Sequence, residues 1–207
     1  MLIDERGETG NGKNRGGSLT FTMNATVVHN PRKFRAIYEE FVPGSYASRP
    51  LHELKEKTLR PDLKIRILEK QIDAGSDFFS VTLWKYSNDL PRSFTSNKGK
   101  EIYRAVTRTL VNDVLSNLDA RSVSIYYDDH SSLKGWAGTI VADYYADLYG
   151  KALSDCRQLK SSDEPMLQLN DIPTGAVGRW TENGDPTYYD VIRGRSKHKN
   201  IRGEVRS

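Results

Sequence analysis

Cysteine is nearly missing from this chain: Cys156 is the only one among 207 residues. That excludes an intrachain disulfide framework and any zinc site built on thiolates. Long apolar runs are missing as well. No stretch approaches the ~20 apolar residues that a membrane-spanning helix needs, and Asp4 and Glu5 interrupt the apolar start where a signal peptide would continue. The expectation is a cytoplasmic protein with no membrane partner. No serine sits in a nucleophile elbow, and Cys156 reads as a small buried side chain. The glycine-rich stretch from Gly10 to Gly17, with Lys13 and Arg15, lacks the spacing of a phosphate-binding loop.

What the chain does have is enough length for one well-buried domain. The net charge of +4 is unevenly placed. Residues 193 to 207 carry six basic side chains, Arg193, Arg195, Lys197, Lys199, Arg202 and Arg206, against Glu204 alone. The body is therefore close to neutral, and the basic character belongs to the C-terminal stretch.

Residues 1 to 5 predict a short first strand that ends on acids and opens into the glycine-rich loop. Leu19, Phe21, Met23, Ala25 and Val27 alternate with polar residues, the period of a half-buried second strand, so the two strands form a hairpin-like pair. Asn30-Pro31 starts a helix that continues through Phe34, Ile37, Tyr38 and Phe41 and stops at Pro43-Gly44. A second helix runs from Pro61 to just before Gly75. A strand covers 78 to 84. Ile102, Val106, Leu110, Val114 and Leu118 give a long helix, and Val123, Ile125 and Tyr127 a strand. Leu133 to Leu148 is a helix with Ser131 or Ser132 as cap. A strand over 152 to 159 and a helix over 165 to 182 complete the domain, residues 1–190. Beyond it, 191–207 reads as a basic, disordered tail. The order predicts an α/β fold, a mixed sheet of about five strands flanked by helices. Trp84, Trp136 and Trp180 fall in apolar patterns and read as core residues.

Three acids invite a functional reading. Asp4 and Asp128 each close a predicted strand, and Asp171 lies on the last helix. If the first strand and the one ending at Tyr127 are parallel neighbours, ~4.8 Å apart, Asp4 and Asp128 can reach one ion between them. Close carboxylates repel, and a hard divalent cation relieves that repulsion. With Asp171 added, the set suits two magnesium or manganese ions, which cleave phosphodiesters by activating water and stabilising the leaving oxygen. Each acid also has a structural reading: Asp4 as a turn residue, Asp128-Asp129 as turn and cap, and Asp171 as the N-cap of a helix starting at Pro173. His52, beside Glu53, is a further candidate for proton transfer or ligation.

These stretches resemble a family. Ile3-Asp4-Glu5-Arg6-Gly7-Glu8-Thr9-Gly10 is similar to the "IDESGD" opening of the domain-of-unknown-function family 3800 (DUF3800). Leu167-Gln168-Leu169-Asn170-Asp171-Ile172-Pro173-Thr174-Gly175-Ala176-Val177 is similar to its "LQLADLIAGAV" ending, and Leu51-His52-Glu53 resembles its "ELH" segment. The resemblance implies a ribonuclease H-like fold with a helical insertion after the second strand. It also implies Asp4, Asp128 and Asp171 as metal ligands of a nuclease-like site, with Glu5 and Glu8 as secondary candidates. The family's serine and second aspartate are here Arg6 and Glu8, and Asn170 and Pro173 stand near the last aspartate in place of alanine and isoleucine. The expected activity is metal-dependent hydrolysis of nucleic acid, DNA or RNA. The alternative is a non-catalytic nucleic-acid-binding or protein-interaction module of the same fold.

Overall fold

The computed structural model describes residues 1–7, 18–41, 54–85, 99–128 and 138–202, leaving aside the side chains of 99–101 and 138–141. Six strands form one mixed sheet in the order β5-β4-β1-β2-β3-β6. β1 (Leu2–Arg6) pairs antiparallel with β2 (Thr20–Val27), and β2 antiparallel with β3 (Asp77–Trp84). β4 (Ser122–Asp128) lies parallel to β1 and to β5 (Ala152–Leu159), and β6 (Ser196–Ile201) lies parallel to β3. Of the six, β2 alone runs against the others. The fold is α/β and is consistent with a ribonuclease H-like arrangement. No helix among the described residues is long and apolar enough to cross a membrane.

Helices cover both faces of the sheet. On one side Ile3, Phe21, Met23, Val81 and Ile125 pack against α3 (Gly99–Asn117) and α4 (Gly138–Leu148) through Val106, Leu110, Val114 and Ala142. On the other side lie α1 (Pro31–Phe41), α2 (Pro61–Asp73), α5 (Pro165–Asn183) and the short α6 (Tyr189–Ile192), which gather Phe34, Ile67, Leu68, Leu169, Ile172 and Ile192 over Leu2 and Phe78. Local chemistry sets the helix ends. Asn30 Oδ1 caps α1 by accepting from the Lys33 N–H at 3.0 Å. Gly75, at φ +83°, closes α2 in the left-handed conformation that favours glycine.

The predicted first helix, second helix and hairpin are present. So are the predicted strands over 78 to 84 and 152 to 159, and the parallel pairing of β1 with β4. The glycine-rich loop, Pro43-Gly44, the Ser131 or Ser132 cap and Trp136 lie outside the described residues.

Two expectations are corrected. The second strand is not half-buried: every residue of β2 is buried. Its polar face is covered by α5, where Asn170 Oδ1 accepts from Asn24 Nδ2 at 3.1 Å and from Thr26 Oγ1 at 2.5 Å. The Thr22 and Thr82 hydroxyls bond each other at 2.8 Å. Polar side chains with partners can be buried at little cost, so alternation alone misjudged the exposure.

The second correction concerns residues 191–202 of the stretch expected as a disordered tail; 203–207 lie outside the described residues. The chain instead forms α6, a 3-10 turn (Arg193–Arg195) and the edge strand β6. One face of it is polar: His198 Nδ1 and Ser80 Oγ lie 2.8 Å apart, and at the exposed Asn200 the Oδ1 accepts from Trp84 Nε1 at 3.2 Å. Such a strand carries no hydrophobic alternation to read. Trp84 is only half-buried, with the Arg202 guanidinium 4.4 Å from its ring, and Trp180 stacks on Tyr189 at 3.9 Å. Neither sits at the centre of the core.

Candidate functional site

The side of β1 that carries an acid is fixed by the period of two along a strand. Leu2 belongs to the core under α5 and Ile3 to the core under α3. Asp4 and Arg6 therefore face α5, while Glu5 faces α3. β1 runs through both acids and continues to Arg6. The parallel register pairs Leu2 with Tyr126 and Ile3 with Tyr127, so the next pair in line is Asp4 and Asp128. α5 crosses the same face and brings Asp171 to it.

Asp4, Glu5, Asp128 and Asp171 line one cleft of about 310 Å³ at the carboxyl ends of β1 and β4. The three acids singled out in the sequence are thus brought together, with Glu5 as a fourth. Glu8 and His52 lie outside the described residues. Among the described residues no three histidine, cysteine, aspartate or glutamate side chains stand close enough to hold one ion. The acids are gathered but not preassembled into a cage.

Asp4 is 8% exposed. Its Oδ1 accepts from the Glu5 N–H at 2.8 Å, and its Oδ2 is buried without a partner among the described residues. Burial, reinforced by the negative charges of Glu5, Asp171 and Asp128, pushes its carboxyl well above the usual range. Glu5 is pushed up to about 7, chiefly by burial, against the opposing effect of the Tyr103 hydroxyl, which donates to Oε2 at 2.9 Å. Asp171 is also raised by burial, opposed by the Glu56 N–H that donates to its Oδ2 at 2.6 Å. Asp128 Oδ1 accepts from the Ser161 N–H at 3.1 Å.

Asp171 is not an N-cap. α5 starts at Pro165, with the Glu164 side chain accepting from the Met166 N–H, and runs through Pro173 without ending. A proline here deprives the carbonyl four residues back, that of Leu169, of its helical donor. Gln71 of α2 fills the vacancy: its Nε2 donates to Leu169 O at 2.9 Å.

The residues that shape the site were not visible in the sequence. Gln168, 1% exposed, holds two loops to α5: its Oε1 accepts from the Leu54 N–H at 2.8 Å and its Nε2 donates to Ser161 O at 2.7 Å. Glu56 follows Leu54 in a 3-10 turn (Glu56–Thr58) and is 2% exposed. Lys64 Nζ and Arg179 Nε reach its Oε1 at 2.8 and 2.9 Å, and Arg6 Nη1 reaches Oε2 at 3.3 Å. Burial pushes the Glu56 carboxyl up, but the hydrogen bonds from Lys64 and Arg179 outweigh it and hold it below the ordinary value. Gly175 makes the room: a Cβ there would lie 2.4 Å from Glu56 Cγ. Lys55-Glu56-Lys57 looks like any solvated charged loop, and no local signal marks its middle residue as buried.

No protein-family model matches the chain, and no curated protein matches it.

Proposed function

We propose that this chain is a divalent-metal-dependent nuclease, a phosphodiesterase acting on nucleic acid, in which Asp4, Asp128 and Asp171 hold magnesium or manganese. The observation that carries this reading is the meeting of four acids in one cleft, where Asp4 keeps a buried carboxylate oxygen with no hydrogen-bond partner among the described residues. Carboxylate oxygens are the donors that hard cations take, and the upward shifts of Asp4 and Asp171 mark charge that a cation would relieve. The residues present fit such ions in chemistry. A bound pair would activate water and stabilise the leaving oxygen of a phosphodiester.

The chain's own groups do the rest. The Glu56 N–H fixes the orientation of Asp171, and the Ser161 N–H that of Asp128. Glu5, a secondary candidate on the resemblance, borders the cleft, with its side chain turned toward α3 and its Oε2 accepting from the Tyr103 hydroxyl. Lys55 and Lys57 bring positive charge to the rim of the same cleft, which suits a polyanionic substrate. The resemblance to family 3800 points the same way, since its opening and ending motifs supply Asp4 and Asp171. Glu8 and His52 remain further candidates on that resemblance.

A second reading has one observation in its favour, the absence of a three-acid group around any single point among the described residues. On that reading the chain is a non-catalytic nucleic-acid-binding or protein-interaction module. Incubation with single- and double-stranded DNA and RNA, with magnesium, manganese or EDTA, separates the two. The nuclease cuts at least one substrate in a metal-dependent way, and Asp4→Asn and Asp171→Asn lose the activity while keeping their melting behaviour. A module binds nucleic acid with undiminished affinity in both variants and cuts none.

A further inference from the structure

The cleft is not acidic throughout. Arg6 lines it beside the carboxylates, and its surroundings are built to hold it. Its side chain lies in a groove of α5 opened by Gly178, where a Cβ would stand 2.2 Å from Arg6 Cδ. Its guanidinium makes one contact with a carboxylate, Nη1 to Glu56 Oε2 at 3.3 Å, and Glu56 is the only hydrogen-bond acceptor of that side chain among the described residues. That carboxylate is already engaged by Lys64 and Arg179, both closer than Arg6. Three cations thus crowd one carboxylate, and Arg6 also lies within electrostatic reach of Asp171, in a part-buried place where charge is screened less than on open surface. Arg6 is the member of the cluster that opens on the cleft, with 24% of its side chain exposed.

A guanidinium has five N–H donors in a planar fork that matches two phosphate oxygens. Glu56 occupies one end of that fork. Arg6 follows Asp4 by two residues on β1, so the two side chains share a face with their Cα atoms roughly 6.8 Å apart. One phosphate group is able to lie between them. The family's opening has serine at this position, and arginine here gives the cleft an anion donor beside its acids.

We propose that Arg6 is the phosphate-binding subsite of the cleft, donating to the non-bridging oxygens of a phosphate mono- or diester whose other side faces Asp4 and Asp171. This deepens the nuclease reading and rests on it for the identity of the natural ligand. The anion site itself rests on the Arg6 cluster. Arg6 acts here as a binding residue that orients phosphate, and the buried Glu56 and the groove at Gly178 hold it in place.

The test titrates thymidine 5′-monophosphate into the full chain by calorimetry, once with magnesium and once with EDTA. The proteins compared are the wild type, Arg6→Met, Arg6→Lys and Lys64→Met, and thymidine serves as the phosphate-free control. Lys64→Met removes a cation of the cluster that does not line the cleft. The expected result is at least a tenfold loss of monophosphate affinity in Arg6→Met, a smaller loss in Arg6→Lys, near-wild-type affinity in Lys64→Met, and no binding of thymidine. Binding that depends on Arg6 in EDTA, in a protein that neither takes up magnesium nor cleaves, keeps the subsite and removes the nuclease reading. Metal-dependent cleavage by the wild type with equal monophosphate affinity in wild type and Arg6→Met leaves the nuclease and overturns the subsite. The subsite is equally overturned if the wild type binds no monophosphate in either condition, or if Lys64→Met loses as much affinity as Arg6→Met.

Discussion

The backbone N–H of Glu56 donates to Asp171 Oδ2 at 2.6 Å, while the Glu56 side chain is held by Lys64, Arg179 and Arg6. One residue thus ties a loop to the acid that α5 brings into the cleft. Replacing it with alanine leaves Lys64, whose side chain is 6% exposed, without its carboxylate. Loss of one partner from a buried ion pair costs about 3–5 kcal/mol, and urea unfolding of Glu56→Ala measures it. The folded-state carboxyl is held below the ordinary 4.5. Its stabilising contribution is therefore present above that pH and lost as pH falls through the lower folded value. An unfolding midpoint of Glu56→Ala close to that of wild type contradicts the buried role.

Glu5 gives a pH dependence of the opposite sign. Its carboxyl is pushed from 4.5 up to about 7, chiefly by burial. Between those values the folded chain keeps a proton that the unfolded chain has released, so stability falls as pH rises across the window and levels off above it. A tenfold change in proton affinity is worth about 1.4 kcal/mol, which limits the whole effect to about 3 kcal/mol. In EDTA, Glu5→Gln removes that part of the slope, which urea midpoints near pH 5 and near pH 8 compare. Identical slopes for the two proteins show that Glu5 titrates normally.

Gln71 and Pro173 are expected to couple. Gln71→Leu leaves the Leu169 carbonyl unsatisfied in a buried place, at a cost of about 1–3 kcal/mol. Pro173→Ala restores the helical N–H that Pro173 lacks, so the same Gln71→Leu change costs less in that background. A double-mutant cycle that gives a coupling of about 1 kcal/mol or more supports the compensation. Strict additivity contradicts it.

Two glycines of α5 are expected to answer differently to alanine. In an open helix the change gains about 1 kcal/mol. At Gly175 the new methyl meets Glu56 Cγ, part of a buried and fully held side chain, whereas at Gly178 it meets the aliphatic stem of the more exposed Arg6. Gly175→Ala is therefore the more destabilising of the two in thermal melts. The reverse order places the clash elsewhere.

The layout of the fold was largely legible, and the site only in part. Helices and strands with one apolar stripe, such as α3 with Val106, Leu110 and Val114, announce themselves by period. β6 does not, because one of its faces carries Ser196, His198 and Asn200, and Ser80 and Trp84, which bond His198 and Asn200, lie 118 and 116 residues away in the chain. The three acids of the cleft were found from their place at strand ends and on the last helix. Glu56, Arg6 and Gln168 were not given their roles, because a charged or amide side chain, whether on β1, on α5 or in the loop before α2, reads the same whether it faces water or a buried partner. Only the meeting of α5 with that loop distinguishes the two cases.

β6 also changes what removal of the C-terminal stretch does. Deleting 193–207 strips the partner of β3 along with the Arg195–Asp77 ion pair at 2.9 Å, and it exposes the edge of β3. The expected outcome is a lowered unfolding midpoint and a tendency to associate. A truncated protein that melts with the wild type and stays monomeric in sedimentation shows that β6 is dispensable.

The central claim is that Asp4, Asp128 and Asp171 together hold a divalent cation. The most direct measurement is manganese titration followed by the paramagnetic resonance of the free ion, for the wild type, Asp4→Asn and Asp171→Asn near neutral pH. The account predicts saturable uptake by the wild type and at least a tenfold weaker uptake by each variant, with folding unchanged. Wild-type protein that leaves all manganese free, or variants that take it up as well as the wild type, contradicts it.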